Sequence, residues 1–149
     1  LAWDRLPMAI TFMAFFAVII GEHIEASWGA VLLPVLLVLG VSSVAYWRVS
    51  AGFGNEDLRP YILVQYLPLL LVPVIVALFP SAVQPVGYVW GVLAAYGVAK
   101  GLELRDQAVY ARLGGVSGHA LKHVVAACGL LLFAIAIRKR HPRQSPEGV

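Results

Sequence analysis

Two histidines four residues apart, His119 and His123, open the stretch "GHALKHVVAACGLLLFAIAIRKR", with Lys122 between them. Positions four apart on a helix lie about 40° apart in projection, so both imidazoles fall on one stripe and reach a single point beside the helix. That is a metal-ligand spacing. Zinc suits it, because zinc takes imidazole nitrogen at about 2.0–2.1 Å and catalytic sites commonly use three protein ligands plus a water. A b-type haem fits poorly: its axial ligands approach the iron from opposite sides, whereas two histidines one turn apart lie on the same side. The plain alternative is a histidine that hydrogen-bonds between membrane helices, worth about 1 kcal/mol. Two on one stripe make that the lesser reading.

Asp4, directly before an apolar helix, is the natural companion. Alone it reads as a carboxylate favoured by the positive end of a helix dipole. Beside a di-histidine site it would act as general base toward a water activated by the metal, or orient a ligand from behind. Lys122 can extend back toward the helix N-terminus and snorkel to water. In "AKGLELRDQ", Lys100, Glu103 and Asp106 follow one another at i,i+3 steps. A self-paired charged rim is favoured there over a substrate role, and locking the fourth segment to the histidine helix is the further alternative. Ser42 and Ser43 read as residues packing between helices, and Cys128 as a small buried side chain without a disulfide partner.

The elements that must hold these residues are apolar throughout. Of 149 residues, 60% are hydrophobic and 13% charged, whereas soluble domains carry about 25% charged residues. The composition predicts an all-α integral membrane protein and shows no second zone for a soluble domain. Five transmembrane helices are expected, over about 6–20, 28–47, 60–79, 81–99 and 116–137. Residues 28–47 carry no charge over a length that crosses roughly 30 Å of hydrocarbon at about 1.5 Å per residue. Pro7 would fall in a first helical turn, while Pro68 and Pro73 predict kinks rather than a break. Residues 138–149 form a basic, disordered tail that reads as a membrane anchor rather than a nucleic-acid arm. The chain opens on Leu1 without a leader pattern, and its start reads as the interior of something longer.

Five crossings put the chain ends on opposite faces. The face away from the tail then collects Asp4, Arg5, the charged loops around Asp57 and Glu103, and the start of the histidine helix. His23 and His141 fall on the tail face, a membrane thickness away. The positive-inside count favours a cytoplasmic tail only narrowly, because the other face has more basic residues interleaved with acids.

"WDRLPM" at the head of one membrane helix and "GHALKH" at the head of the last resemble the alkaline ceramidase-like hydrolases of the CREST superfamily, and most closely their bacterial members. "DLRPYILVQYLP" and "AKGLELRDQAVY" extend the likeness between them. The resemblance implies a seven-helix fold lacking its first two helices here, in a bacterial inner membrane. It implies Zn²⁺ held by His119, His123 and a third histidine ahead of "WDRLPM", with Asp4 serving the water and a serine near that third histidine assisting. The implied substrate is a lipid amide such as the sphingolipid ceramide. A different class remains open beside it: a non-enzymatic membrane receptor or transport component, as in the superfamily's progestin and adiponectin receptor branch.

Overall fold

Where water is absent, a backbone satisfies its own polar groups by coiling into helices. The computed structural model of the protein describes residues 2–142. They form six helices: α1 (Ala2–His23), α2 (Ala26–Gly52), α3 (Arg59–Leu78), α4 (Tyr88–Leu104), α5 (Asp106–Leu113) and α6 (Gly118–Arg138). Two short strands, β1 (Val83–Gln84) and β2 (His141–Pro142), pair antiparallel. The all-α expectation holds. Four helical stretches are long and apolar enough to cross a membrane: Asp4–His23, Ala26–Gly52, Arg59–Leu78 and Gly118–Arg138. In the last three, no more than 22% of the apolar window is buried by protein. Their outward faces are therefore matched to hydrocarbon rather than to water.

Several boundaries differ from the sequence reading. The fourth segment, expected over 81–99, begins only at Tyr88, because Pro85 and Gly87 interrupt the run and Val83–Gln84 is extended. At 17 residues, with Lys100 and Glu103 near its end, α4 is not among the four membrane-length helices. The helix α1 starts at Ala2, so Pro7 lies in its interior and removes one backbone hydrogen bond. The proline-bearing helix α3 nevertheless runs through Pro68 and Pro73 unbroken. The tail begins ordered: Arg138 closes α6, His141–Pro142 form β2, and residues 143–149 lie outside the described residues.

The chain divides into two compact units, Leu1–Ala82 and Val83–Val149. In the first, α1 packs on α2 and α3 and buries Ala9, Met13, Phe15, Phe16 and Ile19. The two-residue link Ile24–Glu25 turns α1 back onto α2. There the chains touch backbone to backbone: a Cβ on Gly29 would stand 2.6 Å from the Gly21 Cα and 2.8 Å from the Ala17 carbonyl oxygen. Small residues permit that approach, as membrane helix pairs require. At one end the Arg5 guanidinium lies 4.0 Å from the centre of the Trp47 ring and 5.4 Å from that of Tyr61. This cation–π stack caps a cluster of Ala9, Val44, Trp47 and Tyr61. Asp57 ties the α2–α3 loop, accepting from Arg59 Nε at 2.9 Å and Nη2 at 2.8 Å. Those hydrogen bonds hold its carboxyl well below the usual range. At the other end, buried His23 donates from Nδ1 to the Phe79 carbonyl at 2.8 Å. A cavity of about 440 Å³ between α1, α2 and α3 is bordered by Met13, Phe16, Leu39 and Leu63. Ser42 and Ser43, which also border it, donate to the Leu39 and Gly40 carbonyls of their own helix.

In the second unit α4 and α6 lie against each other, with α5 beside the start of α6. Tyr88 meets Phe133 at 5.8 Å between ring centres, and Arg140 Nη2 donates to the Tyr88 hydroxyl at 3.3 Å. Charge from the tail is thus fixed to the start of α4.

Candidate metal centre

The last helix begins where its sequence says a helix can begin. Ser117 is extended and its hydroxyl accepts the Ala120 N–H at 3.0 Å, an ordinary N-cap. A second cap comes from a different helix: Asp106, in the first turn of α5, accepts the backbone N–H of His119 at 2.8 Å. Two of the four orphan donors at this terminus are therefore satisfied by side chains. Gly118 makes the docking possible. A Cβ there would overlap the Leu102 carbonyl oxygen and stand 3.0 Å from the Asp106 Cα. The α5 helix ends at Gly114, whose positive φ of 63° reverses the chain toward α6.

On that anchored first turn the two imidazoles meet. His119 Nε2 and His123 Nε2 are 3.3 Å apart, and the rings stand edge to face with centres 5.0 Å apart. In a neutral pair one Nε2–H donates to the other ring's lone pair. The spacing also has a second meaning. Two nitrogens each about 2.0–2.1 Å from one tetrahedral zinc lie roughly 3.3–3.4 Å from each other. The pair is spaced as two adjacent ligands of a tetrahedral metal ion would be, and both side chains are exposed rather than packed as core.

The residue between them departs from expectation. Lys122 does not snorkel to water; only 5% of it is exposed. Its Nζ donates to Glu103 Oε1 at 3.1 Å, while Lys100 Nζ donates to Glu103 Oε2 at 2.7 Å. A buried ammonium requires such a partner. The i,i+3 pairing of Lys100 with Glu103 is present as expected of a charged rim, but the same carboxylate also locks α4 to the histidine helix. Burial pushes the Glu103 carboxyl up, yet the hydrogen bonds from Lys100 and Lys122 outweigh it and hold it below the ordinary carboxylate range. A carboxylate lowered this way adds stability that is fully present above its unfolded value and is lost as pH falls through the folded one. Acidification from neutral pH through the carboxylate range is thus expected to lower the melting temperature of the wild-type protein in detergent more than that of Glu103→Gln. Equal losses in both would remove Glu103 as the source.

Asp4 lies partly buried in the first turn of α1, in the first unit. His23 closes the opposite end of that helix, and His141 sits in β2 beyond the far end of α6, with its Nδ1 3.3 Å from the Lys139 carbonyl. Neither stands in for a ligand within its own unit. Cys128 is exposed, not buried: on a helix facing hydrocarbon, outward exposure of a small apolar side chain carries no penalty. Sequence reasoning does not single out Gly118, although a glycine directly before a histidine at a helix start is the signal that would find it. No protein-family model, curated protein or solved structure matches the chain.

Proposed function

We propose that the chain belongs to a zinc-dependent membrane hydrolase of the ceramidase type, with five membrane crossings that form part of a seven-helix fold in a bacterial inner membrane. The observation that carries this reading is the 3.3 Å separation of the His119 and His123 Nε2 atoms on one stripe of α6. Zinc, when bound, would polarise an amide carbonyl and lower the pKa of a water. His119 and His123 would hold the ion by Nε2. Asp4 would approach from the head of α1, accept the proton of the attacking water and deliver it to the leaving amine. That role requires the five proposed crossings, by which the start of α1 and the start of α6 would share one face. A lipid amide such as ceramide suits a site at the membrane boundary, because its acyl chain can remain in hydrocarbon while its amide reaches the polar end of the helices.

The resemblance would supply a third imidazole from residues ahead of "WDRLPM". Residues 1–149 alone are expected to bind zinc weakly, and a chain extended by its encoded upstream residues to bind it much more tightly, because three imidazoles match a catalytic site and two leave the ion mostly solvated. Zinc titration of both forms checks this. Tight stoichiometric zinc in the shorter form would require another ligand, and no zinc in either form would remove the hydrolase reading.

A further inference from the structure

We infer that Glu103 is a positioning residue for the histidine pair: through Lys122 it sets the rotation of α6 at which both imidazoles face one point. The inference rests on the metal reading proposed above. Lys122 lies about 60° round the helix from His119 and about 100° from His123. Whatever fixes the direction of Lys122 therefore fixes the azimuth of the pair. The other two anchors act on the end of the helix. Asp106 holds the His119 N–H, and Gly118 sets how closely the first turn approaches Leu102. Asp106 sets the height of the first turn, while Gly118 and Gly129 pack the stripe of α6 that carries Lys122 against α4. Glu103 adds a polar restraint at the level of the histidines themselves, and it cannot swing freely because Lys100 holds its second oxygen at 2.7 Å. The same carboxylate offsets a buried cation one residue from a proposed ligand of a divalent ion, where an uncompensated ammonium would repel the metal.

A purely structural role makes a different prediction, and two variants separate them. Glu103→Gln removes the restraint and leaves Lys122 buried without its carboxylate. The double variant Glu103→Gln/Lys122→Met removes the restraint but leaves no stranded charge. Each is titrated with Co²⁺, read by its d–d absorption, then competed with Zn²⁺, and its melting temperature is measured in the same detergent. Glu103→Gln is expected to lower both melting temperature and metal affinity, the latter by about 10–100-fold, as the loss of a residue that orients ligands commonly does. The double variant is expected to recover most of the melting temperature yet keep at least a tenfold loss of affinity, even though deleting a cation by itself favours a divalent ion. Wild-type affinity in the double variant would show that Glu103 merely neutralises Lys122 and would overturn the positioning role, as would unchanged affinity in Glu103→Gln. Should Glu103→Gln fail to fold, the double variant decides alone. Absence of Co²⁺ and Zn²⁺ binding in the wild-type protein would instead overturn the metal reading, and this inference with it.

Discussion

On the proposed hydrolase reading, His119→Ala and His123→Ala are each expected to abolish both zinc retention and lipid-amide hydrolysis, whereas Asp4→Asn keeps the metal and loses most turnover. The difference reflects the assigned roles. Removing either imidazole deletes one of two nitrogens already set 3.3 Å apart, and with it much of the free energy that holds the ion. Asparagine at position 4 preserves size and some hydrogen bonding but cannot take a proton, and general-base loss typically lowers rate by about 10²–10⁴-fold. Metal content and turnover are measured on one detergent-solubilised sample of each variant. If Asp4→Asn loses zinc as completely as the histidine variants, Asp4 is a ligand rather than a base. Full activity in all three would remove the hydrolase and bring forward a receptor or transport role.

The second large effect is expected at a residue without a functional group. Gly118→Val places a branched side chain where the Leu102 carbonyl oxygen and the Asp106 Cα already stand. Neither obstacle is a flexible side chain that can turn away, so α6 must lift from α4 and α5. Overpacking costs about 1–3 kcal/mol where neighbours adjust; against backbone, and with the Asp106 cap pulled off His119, a loss of about 3 kcal/mol or more is expected. Thermal unfolding in detergent measures the stability, and amide hydrogen exchange at His119 and Ala120 reports whether the helix start has come away. Slow exchange at His119 together with a wild-type melting temperature would mean that the close approach carries no weight.

The histidine stripe is legible in the sequence because helical periodicity depends only on local geometry, and i,i+4 spacing survives any tertiary arrangement. The Lys100–Glu103–Asp106 series is legible only in part. Its internal pair is local, but Lys122 lies 19 residues from Glu103 and His119 lies 13 from Asp106, and no periodicity connects them. Lys122 departs from its expected exposure for the same reason: a lysine snorkels when nothing meets it, and the carboxylate that meets it stands on another helix. Helices α1 and α2 run beyond their expected ends because hydropathy registers only the apolar part, while the coil continues past it into polar residues such as Asp4, Arg48 and Ser50. The α5 helix leaves no hydropathy signal because it is short and polar. The start of α4 lies later than expected because Ala82, Val83 and Val86 read as membrane residues, although Pro85 and Gly87 among them cannot continue a helix.

Separation into two units has a consequence for synthesis. Packing in Leu1–Ala82 closes within that stretch of sequence, so those helices can settle in the membrane while the ribosome is still adding the second unit. Translation at about 5–20 residues per second leaves roughly 3–13 s before residues 83–149 are complete. Both imidazoles of α6 belong to the second unit, so a metal bound through them cannot help the first three helices to assemble, and their own packing must hold them.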